Sequence, residues 1–150
     1  MAARRQLEFY AQHFRTTELN GVFNRMPTIE AVHGWAERTP AGFVFAGKAS
    51  KFITHWKRLN DKSRNSLAVM EGRLWLLGDK AGPVLFQPPP QFKKDRKRFE
   101  SFLKLLSRRR SYAFEFRRPS WRDDDVLQDN DAALCISGHH DAPSPWKAFS

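Results

Sequence analysis

The sequence predicts an α/β fold with a parallel sheet, and two observations carry that prediction. Short apolar runs alternate with helical patterns along all 150 residues, which is the rhythm of βα units. Comparable strand ends fall at residues 18, 48, 87, 115 and 137, so the steps of 30, 39, 28 and 22 residues are βα-unit lengths. The length suits one domain, taken here as residues 1–150. An apolar content of 41% argues against a mostly disordered chain.

The elements follow in order. Residues 6–14 (QLEFYAQHF) read as the end of an opening helix. Residues 16–22 (TTELNGV) read as a strand, led by β-branched residues, with Glu18 and Asn20 on one face. Pro27, Thr28 and Glu30 form a helix-start signal. Ile29, Val32, Trp35 and Ala36 supply the stripe, and Thr39-Pro40 ends it. Residues 43–49 (FVFAGKA) are the second strand, with Phe43, Phe45 and Gly47 on one face and Val44, Ala46 and Lys48 on the other. Residues 51–76 are weakly patterned and read as helix in two pieces, with Leu67, Met70, Leu74 and Leu77 as the clearer stripe.

Residues 83–87 (PVLFQ) are the third strand, stopped by Pro88-Pro89-Pro90. Residues 91–107 show the best helical spacing, through Phe92, Phe99, Phe102, Leu103 and Leu106. Residues 112–117 (YAFEFR) are the fourth strand: Tyr112, Phe114 and Phe116 share a face, as do Ala113, Glu115 and Arg117. Asp123-Asp124-Asp125 suit the positive end of a short helix that follows. Residues 132–137 (AALCIS) are the fifth strand, and 138–150 read as loop.

Several function classes recede at once. No run approaches ~18 uninterrupted apolar residues, so no membrane-spanning helix is expected. Gln6, Glu8 and Gln12 interrupt any leader-type apolar segment. Cys135 is the one cysteine, which forbids an intramolecular disulfide and a multi-cysteine zinc site and points to the reducing cytoplasm. Burial in its apolar strand is the expectation for that thiol. The formal net charge is +10. Residues 91–122 hold twelve basic and three acidic side chains, so nearly all the excess lies there, which raises a nucleic-acid reading.

Polar residues recur at the C-terminal ends of the strands: Glu18 and Asn20, Lys48, Gln87, Glu115 and Arg117, then Ser137 before His139-His140-Asp141. In α/β sheets and barrels that edge carries the ligand site. An inward charge is expensive unless paired or solvated, so the two readings are a ligand site and structural ion pairs. His139, His140 and Asp141, even with His55 beside them, lack a metal-ligand spacing, and neither a metal nor a cofactor is expected. His13 and His33 fall in helices as partly exposed residues.

The segments YAQHFRTTELNGVFNRMPT, WAERTPAGFVFAGKAS, ITHWKRL, LGDKAGPVLFQPPPQFKKD, YAFEFRRPSW and ALCISGHHDAPSPW together resemble, in order, the motifs of the YecE-like family, also called the domain-of-unknown-function 72 family. The resemblance covers roughly residues 8–147. It implies a TIM-barrel-like (β/α) fold of about 250 residues with no settled activity. The family's signature positions map onto Glu18, Asn20, Lys48, His55, Gln87, Glu115, Arg117 and Trp121. Asn24 stands where Tyr is usual, Pro88 where an apolar residue is usual, and Arg118 where His is frequent. An eight-stranded barrel needs at least ~200 residues, so the chain is expected to hold about five of the eight strands, as a fragment truncated at both ends.

The site expected from these residues uses Glu115 for acid–base work, Lys48 for charge stabilisation and Glu18 as a second carboxylate. Arg117 suits a bidentate grip on an anion. Asn20 and Gln87 orient polar groups, and His55 joins them. Trp121 either walls the pocket or packs beneath a loop. The expected ligand is small and anionic or sugar-like, in hydrolase- or lyase-type chemistry. Two alternatives stand beside it: a nucleic-acid-binding surface on residues 91–122, and a second chain that docks to complete the barrel.

Overall fold

A computed structural model describes residues 3–20, 24–121, 126–136, 138–139 and 142–143. Helix α1 (Ala3–His13) leads into β1 (Thr16–Leu19). Then come α2 (Ile29–Glu37), β2 (Val44–Lys48), a π-helical turn (Phe52–Trp56) and α3 (Arg64–Trp75). Strand β3 (Ala81–Phe86), α4 (Arg96–Leu103), β4 (Tyr112–Phe114), α5 (Val126–Asp129) and β5 (Ala133–Leu134) follow. The five strands form one sheet in the order β1-β2-β3-β4-β5, every neighbouring pair parallel. Strand order equals chain order, with no reversal. That is the progression of a barrel wall, since a doubly wound sheet has a switch point.

Side-chain alternation sorts the sheet into two faces. Phe43, Phe45, Val84, Phe86, Tyr112 and Phe114 are buried beneath the helices. Val44, Ala46, Lys48, Leu85, Gln87 and Ala113, on the other parity, are half-buried. The buried face carries aromatic contacts that fix the helix layer. Phe86 stacks on Phe114 at 5.0 Å, and Phe99 and Phe102 of α4 meet them edge-on. Tyr112 brings a hydroxyl into this layer and satisfies it: Oη donates to Glu71 Oε1 at 2.6 Å and accepts from Ser107 N at 3.1 Å. Burial, then the bond to Glu71, pushes the phenol well above its usual range.

Local chemistry sets the helix ends. Thr28 Oγ1 accepts from Ala31 N at 3.2 Å and caps α2. Lys80 Nζ closes the other end, donating to Thr39 O at 2.6 Å and to Ala36 O, and Thr39 Oγ1 also donates to Ala36 O at 3.3 Å. Gly82 stands where β2 and β3 shift register. A Cβ there would lie 2.6 Å from Val44 Cγ1 and 3.0 Å from Phe45 O, so only glycine lets the two backbones approach.

Four expectations change. The helix expected over 91–107 begins at Arg96, capped by Asp95 Oδ1 accepting from Arg98 N at 3.0 Å. Phe92 keeps helical spacing only by coincidence; it stacks on Trp121 at 5.4 Å from the preceding turn. The strands are shorter at their C-terminal ends than expected, β1 ending at Leu19 and β4 at Phe114; residues 21–23 and 137 lie outside the described set. Residues 138–150, expected as loop, include a short antiparallel pair of β6 (Gly138–His139) and β7 (Ala142–Pro143). In the weakly patterned stretch, the first helical piece is the π turn.

Candidate functional site

The register builds the candidate site. Lys48 lies opposite Leu85, Leu85 opposite Ala113, and Ala113 opposite Ala133. Two residues further along each chain, the same face carries Gln87, Glu115 and Cys135. Backbone bonds continue past the strand ends to hold this row: Glu115 N donates to Phe86 O at 2.9 Å and Cys135 N to Phe114 O at 2.8 Å. Gln87 Nε2 then donates to Glu115 Oε2 at 2.8 Å.

Glu115 is buried, with 6% of its surface exposed. A carboxylate at that depth needs compensation. Gln87 supplies one hydrogen bond, and Arg117 Nε stands 3.6 Å from Oε1. That separation permits an ion pair but exceeds a hydrogen bond. Arg117 Nε is itself buried and makes no hydrogen bond among the described residues.

His55 projects from the π turn after β2. Thr54 Oγ1 donates to Ser50 O at 3.1 Å, which leaves it to accept from His55 Nδ1 at 2.9 Å. Burial lowers the imidazole pKa, and the charges of Lys51, Arg117 and Lys48 lower it further. Burial and three nearby cations therefore favour the neutral form of the ring. Cys135 is half-buried on the same face rather than enclosed among apolar residues. Burial raises its pKa, as do the charges of Glu115 and Glu18, so the thiol stays protonated and is a poor nucleophile.

Glu18 sits opposite Ala46 on β1 and is exposed, as is Asn20. In a flat sheet β1 and β5 would lie roughly 19 Å apart, four spacings of ~4.8 Å. The charge of Glu18 nevertheless acts on Cys135, after burial and the charge of Glu115. The structure thus brings Gln87, Glu115 and Arg117 into contact, and places Lys51, Arg117 and Lys48 within electrostatic reach of His55. Trp121 is placed differently. It is buried, stacks on Phe116 at 4.3 Å, and donates from Nε1 to Phe92 O at 3.0 Å. Those contacts belong to the aromatic layer.

The basic run divides between locations. Arg108, Arg109 and Arg110 precede β4, at the end of the sheet opposite Glu115 and Arg117. Arg110 lies over the Trp75 ring at 5.4 Å. Lys97 is on α4, whereas Lys93 and Lys94, expected on that helix, come before it; all three are exposed. Arg118 is half-buried beside the site, and Arg122 lies outside the described residues. His140 and Asp141 also lie outside them, and no cluster of three metal-ligating side chains occurs among the described residues. No described helix is long and apolar enough to cross a membrane.

Sequence reasoning passed over Lys51 and Thr54. Their signal was faint: a cation and a hydroxyl flanking His55 in a stretch of poor helical periodicity.

The family model described as "Protein of unknown function DUF72" matches residues 1–148. A crystal structure of a DUF72 family protein from Enterococcus faecalis V583 superposes with a TM-score of 0.80 at 18% identity, covering 99% of this chain and 66% of that one. A DUF72 family protein from Thermotoga maritima MSB8 gives 0.68 at 24% identity, covering 91% and 56%. At these identities the likeness is one of fold, a partial TIM-barrel-like wall. The chain spans between about half and two thirds of the length of these solved relatives. No curated protein matches it.

Proposed function

The chain belongs to the DUF72 family, and we propose that the C-terminal end of its sheet binds a small anionic, sugar-like or phosphorylated ligand. The observation that carries this reading is the buried Glu115 carboxylate, tied to Gln87 and Arg117 on the half-open face, where the charges of Lys51, Arg117 and Lys48 also bear on His55. Structural ion pairing accounts for the contact between Glu115 and Arg117, and the positive charge of Lys48, Lys51 and Arg117 that bears on His55 at the same edge suits an anionic ligand.

Each residue has a role in this reading. Arg117 grips the anion, its planar fork matching carboxylate or phosphate. Lys48 stabilises negative charge. Gln87 and Asn20 hold hydroxyls in place, and neutral His55 offers its ring for a further hydrogen bond. Glu115 is the group for proton transfer, and Glu18 is the second carboxylate at the rim. Two carboxylates flanking an oxygen-rich ligand fit hydrolase- or lyase-type chemistry. Trp121 supports the loop from behind.

Calorimetric titration of the chain with ribose 5-phosphate and with ribose tests the reading. Ribose 5-phosphate binds and ribose does not; Arg117→Ala weakens the phosphate ester by at least about tenfold, the loss of one charge-assisted contact. Equal responses from wild type, Arg117→Ala and Glu115→Gln would remove both residues from the site.

A further inference from the structure

Beside the polar cluster lies a groove that this function does not use. The loop after β2 turns through the π helix, and Phe52 and Trp56 project from it with their rings 5.5 Å apart and steeply inclined. Trp56 is 72% exposed and Phe52 40%. Met26, from the segment before α2, and Val69, from α3, complete a groove of about 460 Å³, a size ordinary for small-molecule sites. Its lining includes two cations, Arg25 and Lys51, and no carboxylate.

The two features call for different parts of one ligand. Lys57 Nζ lies over the Phe52 ring at 5.3 Å, so the exposed Trp56 ring is the face that takes a planar ring, by stacking. Cations in a groove whose described lining holds no carboxylate take an anionic group. A bare phosphate has no use for the aromatic pair, and an apolar partner has no use for Arg25 and Lys51. We propose that this groove is a stacking subsite for the base of a mononucleotide whose phosphate reaches the Lys51 side of the polar cluster. The inference rests on the anion-binding reading of that cluster and narrows its ligand class. Lys51 links the two places: it lines the groove, and its charge acts on His55 together with those of Lys48 and Arg117. The π turn serves both, since His55 lies between Phe52 and Trp56 in the same five residues, and such turns often mark functional positions.

The test is calorimetry with AMP, adenosine and ribose 5-phosphate on wild type, Trp56→Ala and Arg117→Ala. Trp56 is exposed, so its replacement leaves the fold intact, which a melting curve verifies. In wild type, AMP binds roughly tenfold more tightly than ribose 5-phosphate, the worth of one stacked base. Trp56→Ala erases that advantage and leaves ribose 5-phosphate unchanged, while Arg117→Ala weakens both phosphates. Equal affinities for AMP and ribose 5-phosphate in wild type would overturn the stacking subsite and leave the anion site standing. An AMP advantage that survives Trp56→Ala would overturn it too. A Trp56-dependent advantage in a protein whose affinity for both phosphates Arg117→Ala leaves unchanged would keep the groove and remove the central reading. Failure of all three ligands to bind would end both.

Discussion

On the helix-covered face of the sheet, Phe86 and Phe114 stack at 5.0 Å, with Phe99 and Phe102 set edge-on against them. On the opposite face of the same strands, one residue over, Glu115 meets Gln87 at 2.8 Å and Arg117 at 3.6 Å. The first face gains from area removed from water, and its contacts have no directional demand. The second is built from groups whose burial costs free energy unless each partner is in place. Stability comes from one side, and chemistry is concentrated on the other, because a strand sends alternate side chains in opposite directions. Tyr112 shows the exception: a hydroxyl is tolerated on the stabilising face because Glu71 and Ser107 pair it there.

The comparison breaks most readily at Phe114. Phe114→Ala removes a fully buried ring from both the stack and the edge-on contacts. Destabilisation of ~3–5 kcal/mol is expected, read as a shift of the urea midpoint. On the polar face, Glu115→Leu takes the acceptor from Gln87 and the counter-ion from Arg117, at a cost of ~1–3 kcal/mol. A Glu115 variant that lost as much stability as the Phe114 variant would make the polar face part of the stabilising core.

The smallest effect is on pH dependence. The folded-state pKa of His55 lies below its unfolded value, lowered by burial and then by Lys51, Arg117 and Lys48. The unfolded chain therefore binds the proton first, and stability falls as the pH drops below about 6.5 toward the folded value. Further acidification adds nothing from this group. His55→Gln should flatten that part of the stability profile, measured by urea melts between about pH 7.5 and 5. An unchanged slope would show that neither burial nor the cations hold the His55 pKa below its unfolded value.

Much of this was legible in the order of residues. The two-faced strands followed from parity alone, since Phe43, Phe45, Val84, Phe86, Tyr112 and Phe114 are buried as their spacing implies. The α2 cap at Thr28 was also legible, being a contact between residues three apart. The start of α4 was misread because Phe92 holds helical spacing while packing from a turn; Asp95, a capping residue in plain view, was the better signal. At the site, the residues terminating successive strands were legible, but their pairing was not. Nothing in the order of residues says that Gln87 rather than Asn20 reaches Glu115, or that the charge of Lys51 bears on His55.

The sequence by itself determined which residues face which way, because alternation along a strand and capping at a helix end are properties of a few neighbouring peptide units. The tertiary structure alone decided who meets whom. Register placed Gln87 beside Glu115, the charge of Glu18 came to bear on Cys135, and the aromatic layer claimed Trp121. Those outcomes depend on strands separated by tens of residues settling against one another, and no local spacing encodes them.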